Sequence, residues 1–247
     1  MRDQTLFLNR LFAIAVIVKG DGMSSDGKMH MKERLLRKQR VAKIIKLLRR
    51  TYPDAKCRLY FRGPLELLVG TILAAQCTDD RVNIVTKDLF RKYRSAADYA
   101  QADAEQLQQE IRSTGFFRNK ARSIIGAAGK IVEDFGGLVP RTMDELLTLP
   151  GVARKTANVV LGNAFGLSKG IVVDTHVIRV SMRLGITDVQ KPQPEKIEQD
   201  LMKVVPGEHW MMFSHWVLFH GRAVCMARKP DCPHCPIARL CPSAGKG

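Results

Sequence analysis

From residue 32 onward, apolar positions recur at helical spacing, with no run of alternating strands and no fixed-period repeat. Leu35, Leu36, Val41, Ile44, Ile45, Leu47 and Leu48 form one stripe among lysines and arginines, and Tyr52-Pro53-Asp54 stops that helix. Residues 64–75 open on Pro64, a favoured first helical position, and are apolar almost all round, which predicts a buried helix. Similar helices are expected at 81–93, 103–113 and 118–134, with breaks at Gly115 and Gly136-Gly137. An apolar helix then ends at Leu149, and the turn Pro150-Gly151-Val152-Ala153 leads into a second helix opening at Arg154-Lys155-Thr156. After it comes the apolar run Ile171 to Val173, closed by Asp174. Pro192 and Pro194 mark a loop, followed by helices at 195–205 and 210–219. The pattern predicts an all-α fold.

Residues 1–31 do not share this pattern. The run from Leu11 to Val18 is far shorter than the ~20 residues of a membrane span. Asp3 and the lack of an A-x-A site speak against an export leader, and residues 20–27 have linker composition. This stretch is expected to be a flexible extension, with the native protein starting near Met29 or Met31.

Composition narrows the partner. A net charge of +16 points to a polyanion, either nucleic acid or an acidic membrane surface. A soluble protein that merely happens to be basic is the plainer alternative. With no convincing export signal, a cytoplasmic, nucleoid-associated location is expected if the source is bacterial or archaeal, and a monomer is expected. Four of the six cysteines crowd the last stretch, which favours a metal site in a reducing compartment over disulfides.

Three constellations carry chemistry. In the first, Gly151 allows φ > 0, and the turn leaves backbone amides free at the start of a helix, an anion site that reads phosphate rather than base sequence. Pro-Gly is also a common tight connection between helices. The second is Lys155, whose ammonium form is disfavoured at a positive helix end beside Arg154, so that a neutral amine could attack carbon. Asp174 could stabilise developing positive charge there; it also stands where a simple N-cap would. The third is Cys225, Cys232, Cys235 and Cys241, spaced C-x6-C-x2-C-x5-C, which suits either a tetrahedral metal or a [4Fe–4S] cluster. Arg228, Lys229 and Arg239 lie in or near this loop. Cys57 and Cys77 stand apart as free core thiols.

Taken together, these segments resemble the endonuclease III family of DNA glycosylases, within the helix-hairpin-helix superfamily. The likeness covers residues from about 32 to 242 and rests on L-P-G-V-A-R-K-T-A at 149–157, V-D-T-H at 173–176, H-G-R at 220–222 and the cysteine spacing. It implies a six-helix barrel at 57–168 and a second helical domain made of 32–56 and 169–247, with a DNA cleft between them. The second domain would hold a [4Fe–4S] cluster on the four C-terminal cysteines. Lys155 falls at the family's Schiff-base lysine and Asp174 at its essential aspartate. Gln76, in L-A-A-Q-C-T-D, matches the residue that fills the gap left by a flipped base, and Phe116 matches the wedge, usually a leucine. Gly151, Ala153 and Arg154 belong to the DNA-gripping hairpin. The implied activity is a bifunctional glycosylase and abasic-site lyase that removes oxidised pyrimidines from double-stranded DNA.

Two departures stand out. Ala153 replaces a second hairpin glycine and is expected to cost more if φ > 0 is needed. The stretch from Lys155 to Asp174 is one residue longer than usual. The alternatives are a monofunctional adenine or thymine-mismatch glycosylase, which generally lacks a lysine at 155, and a non-catalytic, metal-braced DNA-binding module.

Overall fold

The computed structural model describes residues 25–246, so residues 1–24 of the extension expected at 1–31 lie outside them. Among the described residues the structure is helical throughout and contains no strand. The first helix, α1 (Ser25–Thr51), begins seven residues before the expected start at Lys32, so Ser25 to Gly27 continue the helix instead of forming a linker. Its apolar stripe also sits lower than expected. Val41, Ile44, Ile45 and Leu48 are buried, whereas Leu35 and Leu36 are exposed.

Next come α2 (Pro64–Leu73), α3 (Asp79–Lys92), α4 (Ala96–Ala100) and α5 (Ala104–Glu110). After a 3-10 turn at Arg112–Thr114 the chain continues with α6 (Phe117–Phe135), α7 (Met143–Leu147) and α8 (Arg154–Phe165). The last helices are α9 (Thr175–Arg183), α10 (Pro194–Val204) and α11 (Trp210–Ala223). Side-chain oxygens set many of the starts. Thr78 accepts from the Arg81 amide, Ser95 and Asp98 form a capping box, and Asp103 takes the Gln106 amide at 2.7 Å. Left-handed glycines end α6 and α8, Gly136 at φ 59° and Gly166 at φ 67°. The sequence pattern missed α4, whose five residues are too few to show a period.

Two hydrophobic clusters result. The first gathers buried residues from Leu59 to Leu161, with α2 packed on α8 and α4 on α6. The second joins Val41, Ile44 and Leu48 of α1 to Ile171, Val180, Leu201, Phe213 and Val217. In this cluster α1 packs on α10 and α11, and α9 packs on α11. Arg40 ties α1 to the end of α9, donating to the Leu184 carbonyl at 2.6 Å and the Gly185 carbonyl at 2.7 Å. The chain passes from the first cluster to the second between Leu167 and Ile171, and residues of both clusters line one cleft. No described helix is long and apolar enough to cross a membrane.

Candidate active site and thiol-lined cavity

The hairpin between α7 and α8 is built on a glycine that nothing else could replace cleanly. Gly151 takes φ 75°, and a Cβ there would stand 2.5 Å from both Cβ and Oγ of Ser123. Ala153 corrects the sequence expectation. It is extended, at φ −92° and ψ 168°, so an alanine bears no left-handed strain at the N-cap of α8. No side chain caps α8, leaving its first amides available to an anion.

Arg154 does not stand free beside Lys155. Its guanidinium forks onto the buried Glu198 of α10, Nε to Oε2 at 2.7 Å and Nη2 to Oε1 at 3.2 Å. Asn158, one turn along α8, donates to the same carboxylate at 2.8 Å. Gly170 leaves room for this network, because a Cβ there would collide with Glu198 Oε1. The network fixes the start of α8 against the second cluster.

Lys155 is exposed, and it has no hydrogen-bond or ion-pair partner among the described residues. It and Asp174 line the same cavity of about 560 Å³, whose walls come from both hydrophobic clusters. Asp174 does serve as the N-cap of α9, its Oδ1 accepting from the Val177 amide at 2.8 Å. That occupies one oxygen and also fixes the carboxylate's direction. Gln76 lines the cavity too. Cys57 and Cys77, expected in the core, are half-buried in its wall, and burial pushes the Cys57 thiol up.

Sequence reasoning assigns no role to the two imidazoles near Asp174, although His176 stands in its V-D-T-H segment. His215 holds Asn163 Oδ1 at 2.8 Å, and desolvation holds its pKa below the ordinary histidine value, against an opposing pull from the Asp174 charge. His176 is lowered for the same first reason. One signal existed for His215: it is the single histidine within the mostly apolar run from Trp210 to Phe219. Across the cleft, Arg222 of the H-G-R segment donates to Asp79 at 2.8 Å, joining α11 to the start of α3. Gly221 lets α11 approach α9, since a Cβ would sit 3.0 Å from His176 Nδ1.

Phe116 lies on the first cluster's surface, 63% exposed. It and Gln76 are two of the three non-glycine residues with positive φ among those described, at 47° and 54°. Left-handed backbone costs a non-glycine residue about 1 kcal/mol. Its presence at both positions marks them as held in place by their surroundings.

Cys225, Cys232, Cys235 and Cys241 are all free thiols that surround one cavity of about 260 Å³, so the disulfide alternative does not apply. Among the described residues no group of three or more Cys, His, Asp or Glu side chains is arranged to hold a metal ion. Four thiols facing one cavity are a donor set that fits a thiolate-bound cluster as well as a single tetrahedral ion. The surroundings favour an anionic group. Arg183 Nη1 donates to Cys225 Sγ at 3.4 Å, and His220 Nε2 lies 3.7 Å from Cys235 Sγ. Burial pushes the Cys235 and Cys241 thiols up, so a cationic centre would have to drive their ionisation.

Comparison with known proteins agrees with this geometry. Residues 69–207 match the family described as HhH-GPD superfamily base excision DNA repair protein. The chain is 56% identical over 208 residues to endonuclease III of Synechocystis sp., covering 84% of this chain and 94% of the relative. A solved non-covalent endonuclease III–DNA complex is 46% identical and superposes with a TM-score of 0.80 over 85% of this chain and 97% of the other. A trapped endonuclease III–DNA covalent intermediate, an estranged-adenine complex, matches with the same values. The chain belongs to the endonuclease III family of HhH-GPD superfamily base excision DNA repair proteins, and its activity is that of a DNA glycosylase and abasic-site lyase.

Proposed function

We propose that Lys155 is the nucleophile and Asp174 its charged partner, in a cleft between a six-helix barrel domain and a second, cluster-bearing domain. The observation that carries this reading is the unpartnered Lys155 amine opening on the same cavity as a carboxylate pinned by its own N-cap bond. Duplex DNA would lie across the hairpin, its phosphate on the free amides of Gly151 to Lys155. A damaged nucleotide would be extruded into the cavity, with Gln76 and Phe116 occupying the space it leaves.

In its neutral form the Lys155 amine attacks the sugar C1′. The C1′–N bond breaks, the base leaves with the electron pair, and the carboxylate of Asp174 stabilises the positive charge building on the sugar. The attacking nitrogen gives one proton to the departing base and a second to the ring oxygen as the sugar opens, which leaves a Schiff base. That imine acidifies the C2′ proton, and its removal expels the 3′ phosphate and nicks the strand. Oxidised pyrimidines are the proposed lesion class.

We also propose a [4Fe–4S] cluster on Cys225, Cys232, Cys235 and Cys241. When bound, it would brace the loop that presents Arg228 and Lys229 to the DNA backbone. The protein would act as a monomer in the cytoplasm. A panel of duplexes carrying thymine glycol, 8-oxoguanine, uracil or an abasic site tests the lesion class. Incision at thymine glycol and at the abasic site, with β-elimination ends, is expected. Base release from uracil or from a mismatch without strand cleavage would overturn the reading.

A further inference from the structure

The proposed chemistry makes no use of Lys120, one of the few charged side chains buried among the described residues, at 5% exposure. It sits on α6 one turn after Phe116, whose carbonyl accepts its amide. Its ammonium turns back into the first cluster and makes two short bonds to main-chain carbonyls. One goes to Leu73 O at 2.7 Å and the other to Thr114 O at 2.8 Å. Leu73 is the last residue of α2, three before Gln76, and Thr114 closes the 3-10 turn, two before Phe116. Both carbonyls stand at helix ends, where no helical amide reaches them.

We propose that Lys120 is a positioning residue, whose ammonium, bonded to the main chain on both sides, holds the Gln76 and Phe116 segments at the fixed spacing needed to open the duplex. The proposal rests on the reading of Gln76 and Phe116 as the residues that enter the helix. Both are exposed, and both carry left-handed backbone that an unsupported loop would relax away from. A charged donor bonds two carbonyls more strongly than a neutral one, and a single atom bonded to both couples their positions. Leaving a buried charge or carbonyl unpaired is costly, so the two contacts stand or fall together. Burial works against the charge and lowers the lysine pKa, which indicates that the group is kept for what it bonds.

The test uses the full-length protein and a duplex with 2-aminopurine opposite the lesion, whose fluorescence rises when its stacking is broken. Lys120→Met keeps the stem and removes the donors. It is expected to lose most of the fluorescence rise and to lower kcat/KM on thymine glycol at least about tenfold. Its saturating borohydride-trapped yield on a preformed abasic site should stay near wild type, because no base must be extruded there. Gln76→Ala and Phe116→Ala are the controls and should each weaken the signal. A wild-type signal in both controls would overturn the reading of those two residues, and the proposal with it. Weakened controls with a wild-type signal in folded Lys120→Met would overturn the role of Lys120 alone. Should Lys120→Met not fold, amide exchange in Lys120→Arg decides, since its longer fork moves both contacts. Faster exchange at 74–78 and 114–117 together is expected, and a change at neither or only one overturns the coupling.

Discussion

Arg154 and Glu198 are 44 residues apart in sequence, yet their side chains form a fork, Nε on Oε2 and Nη2 on Oε1, that locks the first turn of α8 to α10. The guanidinium next to the proposed nucleophile is thus held on Glu198, while Lys155 has no ion-pair partner among the described residues. Glu198 is buried and Arg154 is 40% exposed, so the arginine can be rehydrated if its partner is lost. Glu198→Ala should destabilise the protein by about 2 kcal/mol, less than a fully buried pair would cost. It should also lower DNA affinity by loosening the hairpin. Urea unfolding and filter binding measure the two effects. Unchanged stability would mean that the fork is not formed in solution.

Asp174 has two duties that substitution can separate. Asparagine can still accept the Val177 amide, so Asp174→Asn should leave stability within about 0.5 kcal/mol of wild type. It should nonetheless cut glycosylase turnover at least about a hundredfold by removing the charge. Asp174→Ala should lose the activity and about 1 kcal/mol of stability as well. Thermal unfolding alongside single-turnover kinetics checks both; equal activity in Asp174→Asn and wild type would confine this residue to capping.

Gly151 is constrained by its φ of 75° and by Ser123 at once. Gly151→Ala should cost at least about 2 kcal/mol, more than left-handed backbone alone, because the new methyl meets Ser123. Ser123→Gly in the same chain should recover part of that loss. If the double variant is no more stable than the single, the clash is not the cause.

The imidazole of His215 is held below its ordinary pKa by desolvation. A histidine lowered in the folded state binds protons first in the unfolded chain. Stability should therefore be complete above pH ~6.5 and fall as the pH drops below that value. His215→Gln, which can keep a bond to Asn163, should flatten this acid slope. Unfolding midpoints between pH 7 and 5 give the comparison, and an identical slope in the variant would remove His215 as its source.

Much of this was legible in local sequence. The long helices, the Gly151 turn, the α8 start and the cysteine set all follow from periodicity, turn chemistry and spacing, which act over a few residues. What escaped was long-range or too short to carry a period. The bonds of Arg154 to Glu198 and of Lys120 to Leu73 link segments 44 and 47 residues apart, and no helical period encodes them. Ala153 is a costly departure only if a glycine at that position implies positive φ, and the backbone there is extended. At α1, linker-like residues 25–27 are carried into the helix by the strong helical pattern C-terminal to them.

In the proposed mechanism one amine, that of Lys155, forms the covalent link to the sugar. Borohydride reduction in the presence of duplex DNA containing an abasic site measures it directly. Wild-type protein should yield a stable protein–DNA adduct whose cross-linked peptide contains Lys155, and Lys155→Ala, equally folded and equally able to bind the DNA, should yield none. An adduct of wild-type yield in Lys155→Ala, or a cross-link mapped to another lysine, would contradict the account.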